Sequence, residues 1–265
     1  MTVNATPLQS NSDPSGGDAA PPGATPFASH SLPASACRPL AIRSRSIGET
    51  AYERAYKALK AAVHSSTFQS GEVLTLRRLT TLLGFGAMPV REAVKRLISE
   101  GAFEGLPNRS ARVPILSPRE IQQLAELRLS LEPDAAAQAA RNMTLHQLDD
   151  LQRMYDAMLT CVAARDFQGY KNRDTAFHFE IYRIADNKPL ASLIDALWLR
   201  MAPFISRWIH AMAADPAAFD QIANRHHEVL LTAFRNRDPE AARAALRNDL
   251  ACLAKTPQYF DALDS

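Results

Sequence analysis

Asp174 and His178 stand four residues apart, which sets both on one face of a helix together with Phe177, Ile181 and Ala185. His227 precedes Leu230, Leu231 and Phe234 at helical spacing, and Asp249 shares a stripe with Ala242, Ala245, Leu246 and Leu253. A carboxylate facing an apolar helical core is costly unless something pairs it. Two carboxylates and two imidazoles turned inward therefore point to a divalent cation, with zinc, nickel and manganese all compatible with the donor set. The same residues could instead hydrogen-bond to one another and to Arg128 in a satisfied polar core. Arg128 has Glu132 one turn on, so it reads equally as a bidentate anchor for an effector carboxylate and as half of a structural ion pair. Trp198, Arg200, Arg207 and Trp208 fall on one segment that reads as a core-and-interface helix.

A second group of residues suits a polyanion. Residues 47–116 carry ten Lys/Arg against six Asp/Glu, whereas residues 117–265 carry seventeen against twenty. A basic module joined to a mildly acidic one implies a polyanionic partner for the first. Within it, "LTTLLGFGAMPVREAVKRL" (79–97) sets a Gly-Pro corner between two amphipathic segments and loads Arg91, Lys95 and Arg96 onto the second.

The elements that must position these groups follow from periodicity. Tyr52, Tyr56, Leu59 and Val63 predict a helix running to about Thr67, which "FQSGEV" breaks. Thr75 opens a short helix that Gly84 stops, and Pro89 starts a third with Val90, Val94, Leu97 and Ile98 buried. Gly84 and Gly86 together are expected to allow the sharp corner. "AFEGLPNRSARVPIL" reads as two short strands around a "PNRS" turn. Helix, helix, turn, helix, hairpin is a winged helix–turn–helix, whose third helix would present Met88, Arg91 and Lys95 to the major groove. Beyond Ser117 the chain reads as an all-α bundle of about six helices. The first carries Pro133, which is expected to kink or divide it, and the others cover roughly 144–164, 167–186, 188–212, 216–236 and 239–262. The expected class is mainly α in three parts: a disordered, Pro/Ser/Gly-rich tail (1–46), a winged helix–turn–helix (47–116) and a helical domain (117–265).

Three widely spaced cysteines (Cys37, Cys161, Cys252) form neither a zinc nor a disulfide framework. No apolar run nears the length of a membrane span, and the first residues lack a signal-peptide layout. A soluble cytoplasmic protein with no membrane partner is expected.

"MPVREAVKRLISEGAFEGLPNRSARVP" resembles the winged helix of GntR-type transcription regulators, while "ELRLSLEPDAAAQAA", "DTAFHFEIYRIADN" and "HEVLLTAFRNRDPEAARAALRNDL" resemble the helical effector domain (FCD domain) of their FadR-type branch. The resemblance spans about residues 50–255. It implies a homodimeric regulator of repressor or activator type that binds a pseudo-palindromic duplex operator and senses a small molecule, usually a carboxylate. It implies DNA contacts for Arg77, for Arg91, and for Asn108 and Arg109 at the wing tip; Arg78, next to Arg77, is expected to contact DNA as well. The family's frequent Ser-Arg-Thr before the Pro is replaced here by Gly86, Ala87 and Met88, so base readout is expected to lean on Arg77, Arg91 and Met88. In many members one Asp and three His hold a metal. Asp174, His178 and His227 fall on three of those positions and Asp249 on the fourth, where a His is usual. The motif's spacing to Asp238 favours His227 over His226. A reading from another class, a helical metalloenzyme using its winged helix for protein contact, lacks a nucleophile–base pair, a phosphate-binding glycine loop or a His-Glu-x-x-His motif.

Overall fold

The structure, a computed structural model, describes residues 48–107, 110–212 and 216–254. The N-terminal tail, Asn108 and Arg109 of the wing tip, and the expected end of the last helix at 262 lie outside the described residues, as do the side chains of Trp208 and Leu253.

Helix α1 (Ala51–His64) starts at a reciprocal cap. Thr50 Oγ1 accepts from Glu53 N at 3.1 Å, and Glu53 Oε2 accepts from Thr50 N at 2.8 Å. It buries Ala55, Tyr56, Leu59, Ala62 and Val63 and ends three residues before the expected Thr67, at a Ser65 cap. Strand β1 (Val73–Leu74), which the sequence reading missed, precedes α2 (Leu76–Leu83), capped by the Thr75 hydroxyl. Helix α3 (Ala87–Ser99) begins two residues before Pro89, which still falls among the first-turn N–H groups that need no helical acceptor. The corner between α2 and α3 uses one glycine, not two. Gly84 is left-handed at φ +68°, whereas Gly86 sits at φ −63°, which any residue adopts. Strands β2 (Glu104–Leu106) and β3 (Ser110–Arg112) form the wing, and β1 joins β3 from its other side. The antiparallel order is β1-β3-β2, with Leu106 opposite Ser110 and Leu74 opposite Ala111. A two-residue strand escaped notice because two residues carry no period.

The helical domain comprises α4 (Pro118–Asn142), α5 (Leu145–Ala163), α6 (Phe167–Ile184), α7 (Lys188–Met212), α8 (Pro216–Arg235) and α9 (Pro239–Ala254). Side-chain caps open the first three: Ser117 with Glu120, Thr144 with Gln147, and Asp166. Pro133 does not divide α4, which runs through it for 25 residues. Proline removes one backbone bond, but its ring is buried here and α4 packs along the length of α9, so packing outweighs the local preference. The bundle core runs from Ile121 and Leu124 through Phe177, Ile181 and Trp198 to Leu230, Phe234 and Leu246. A second core fills the winged helix, and Leu199 and Ala202 of α7 belong to it. Helix α7 therefore serves both cores and carries the winged-helix module on its flank.

Candidate functional site

The inward stripes of α6, α8 and α9 bring the predicted ligands together. Asp174 Oδ1 lies 3.1 Å from His227 Nε2 and 3.5 Å from His178 Nε2. Among the described residues, Asp174, His178 and His227 form the set whose ligand atoms all lie within 4.8 Å of one another. Asp249 Oδ2 reaches His178 Nε2 at 3.4 Å but stands outside that compact set. Both imidazoles are 2% exposed.

The donor set fits a divalent cation. Two ligands at about 2.1 Å from one ion sit roughly 3.0–3.4 Å apart, close to these separations. The two His178 contacts are longer than an ordinary N–H···O bond, whose usual length is about 2.9–3.0 Å. Charge balance agrees, because the nearby cations are engaged elsewhere. Arg128 Nε donates to Glu132 Oε1 at 2.5 Å, and Lys171 donates to the His64 carbonyl and the Ser66 hydroxyl. Burial pushes the Asp174 carboxyl up, but His178 and His227 outweigh it and hold it well below the usual carboxylate range.

Tyr182 is a member that sequence reasoning overlooked. Its hydroxyl donates to Glu132 Oε2 and lies 3.5 Å from His178 Nδ1, which links the ion pair to the imidazole. The signal was available, since Tyr182 is one turn beyond His178. Arg128 is 1% exposed, lies 4.2 Å over the Trp198 ring, and keeps Nη1 without a hydrogen-bond partner. Trp198 also meets the His178 ring at 5.7 Å, so its place in the core is beside the site.

On the outer side of the winged helix, several basic residues are paired with carboxylates and two are not. Arg78 pairs with Glu72, Lys95 with Glu92 at 2.9 Å, Arg96 with Glu100 at 2.9 Å and Arg112 with Glu104 at 2.6 Å. Arg77, exposed on α2, and Arg91, in the first turn and a half of α3, have no acidic partner among the described residues. Arg91 is half-buried: its Nη1 lies 4.0 Å from the Met88 sulfur, and its buried Nε has no hydrogen-bond partner. Met88 is 61% exposed and stands beside Arg91, three residues on along α3. No helix among the described residues is long and apolar enough to cross a membrane.

Comparison with known proteins matches both halves. Residues 51–113 match the model of bacterial regulatory proteins of the gntR family, and residues 123–251 match the FCD domain. The HTH-type transcriptional regulator McbR of Escherichia coli K12 is 29% identical over 71% of this chain and 84% of its own length. A probable D-xylose utilization operon transcriptional repressor of Paenarthrobacter nicotinovorans is 28% identical over 64% of this chain and 72% of its own. The solved structure of E. coli McbR/YncC superposes with a TM-score of 0.72 at 26% identity, covering 80% of this chain and 99% of that one.

Proposed function

We infer the mode of action of this chain from its membership: it belongs to the GntR family of bacterial regulatory proteins, joins that family's winged helix to an FCD domain, and is a transcription regulator. The reading is a repressor that binds a pseudo-palindromic duplex operator as a homodimer. One recognition helix per chain is too small a footprint for a specific site alone, and two-fold operators match two-fold proteins. The observation that carries it is the pair of unneutralised arginines, Arg77 and Arg91, on the outward side of α2 and α3. Each is free to meet a guanine edge or a phosphate without first giving up an acidic partner. Asn108 and Arg109 would add wing-tip contacts, with Arg78 and Lys95 releasing their carboxylates to phosphate. Repressor action is supported by the likeness to the probable D-xylose utilization operon transcriptional repressor of P. nicotinovorans.

In the FCD domain Asp174, His178 and His227 would hold a divalent metal, zinc, nickel or manganese, with Asp249, 3.4 Å from His178 Nε2, as the fourth ligand. The ion, when bound, supplies a positive centre for the carboxylate of a small effector. This chain's residues do the positioning. Tyr182 and Glu132 orient the His178 ring, and Arg128 Nη1 offers a second anchor to the effector. No described feature favours the metalloenzyme alternative, and the relatives are transcription regulators.

A gel-shift titration over a salt series tests the DNA reading. Duplex operator should bind far more tightly than single strands, as a dimer, with affinity falling steeply in salt. A monomer with no duplex preference would refute it. Metal analysis of protein purified without chelator tests the site. No metal, together with unchanged melting on adding zinc, nickel or manganese, would leave only a hydrogen-bonded core.

A further inference from the structure

The winged helix meets the bundle where α1 lies against α6 and α7. Along this seam runs a cleft of about 410 Å³. Lys57, Lys60 and His64 of α1 form one wall, and Thr175 and Phe179 of α6 with Asp195 of α7 form the other. Two ammonium groups thus face one carboxylate. Asp195 is already shared, since Lys60 Nζ and His64 Nε2 both bond to it, the latter at 3.1 Å. Lys57 pairs with Glu49, which does not line the cleft, and its side chain is 72% exposed. The apolar part of the wall comes from the Phe179 ring, from Ala61 of α1 and from Ala176 of α6.

Two buried polar atoms at this wall have no hydrogen-bond partner: His64 Nδ1 and Thr175 Oγ1, the latter on a residue 8% exposed. Folded proteins rarely leave such groups unpaired without a ligand, ion or water to meet them. Both residues line the cleft, so these unpaired groups lie just beneath its wall. A volume of this size suits a small molecule.

We propose that this seam is a second small-molecule site, separate from the Asp174–His178–His227 centre, which takes an amphipathic monoanion: a carboxylate or sulfonate on an aromatic body. The aromatic body lies against Phe179 and the two alanines. The anionic group meets Lys57 and Lys60, drawing them from Glu49 and Asp195. Helix α6 is the common wall of the two sites. Asp174 and His178 occupy one of its faces, and Thr175 and Phe179, each one residue on, occupy the next, about 100° around the helix. An occupant of the seam touches both domains at once and competes with Asp195 for Lys60. It therefore acts directly on the contact that joins the DNA-binding module to the bundle.

The test uses the full chain and 8-anilinonaphthalene-1-sulfonate, a fluorescent aromatic monoanion, as the probe. Saturable binding of one probe per chain is expected, with displacement by benzoate and not by the neutral benzamide. Ala61→Trp and, independently, Ala176→Trp fill the cleft from opposite walls at exposed positions, and each should abolish binding while far-ultraviolet circular dichroism stays unchanged. Lys57→Gln should weaken binding about fivefold, the loss of one solvent-facing ion pair. His227→Ala, which removes a ligand of the other centre, should leave probe affinity unchanged. Absence of saturable binding, binding that survives both tryptophan variants, or loss of binding in His227→Ala would each overturn the proposal.

Discussion

Replacing Glu132 with alanine strands a guanidinium in the bundle core. The Arg128 and Glu132 side chains are 2% and 0% exposed. They meet through Nε–Oε1 at 2.5 Å and Nη2–Oε2 at 3.3 Å, and Tyr182 donates to the same carboxylate. Alanine removes both acceptors at once, and neither water nor the Trp198 face can replace them. Breaking a buried pair by deleting one partner costs about 3–5 kcal/mol, because the remaining charge is uncompensated. For a domain of this size each kcal/mol moves Tm by roughly 2–4 °C, so Glu132→Ala should melt about 6–20 °C lower. Arg128→Met should fall comparably, leaving Glu132 with Tyr182 alone. The double variant Arg128→Met/Glu132→Leu should lose less than either single, since no charge then remains to be solvated. Thermal and urea unfolding followed by circular dichroism supply the four values of the cycle. If each single variant stays within about 1 kcal/mol of the parent and the double equals their sum, the pair is not a desolvated unit and the reasoning fails.

Arg91→Ala should weaken operator binding by about 1–3 kcal/mol per chain and so twice that in a dimer, with unchanged melting; equal operator affinity in a gel-shift titration would show a merely solvated helix face. His178→Ala and His227→Ala should each abolish the rise in Tm that saturating zinc, nickel or manganese produces in the parent, about 2.7 kcal/mol at a hundredfold excess over Kd. A retained rise would place the metal elsewhere. Burial pulls the Lys171 ammonium from its ordinary 10.5 down to about 7, against an opposing pull from Asp174. The folded chain then holds this proton less tightly than the unfolded chain, so the lysine's contribution to stability rises with pH between about 7 and 10.5. Urea melts at pH 7, 8 and 9 should therefore show a shallower pH slope for Lys171→Met than for the parent, and identical slopes would count against that burial.

Much of this protein was legible without coordinates, and for a reason. A helix repeats every 3.6 residues, so the stripe Ile121, Leu124, Arg128 and Leu131, or the pair Asp174 and His178, lies on one face whatever surrounds it. Caps are equally local, which is why Thr75, Gly84 and Ser117 mark true boundaries. What failed locally was either too short to carry a period, as with Val73–Leu74, or was overridden by packing, as with Pro133 inside α4.

Only the tertiary structure decided which stripes meet. The 3.1 Å approach of Asp174 to His227 joins residues more than fifty positions apart, and the slightly wider stance of Asp249 depends on how α9 seats against α4 and α8. Tyr182 behind His178, Lys171 reaching the end of α1, and the cleft beside Asp195 depend likewise on the approach of separate helices. Periodicity states which side of a helix turns inward. The partner found there is set by interhelical distance and angle, which arise from the volumes of all the side chains packed between the helices at once.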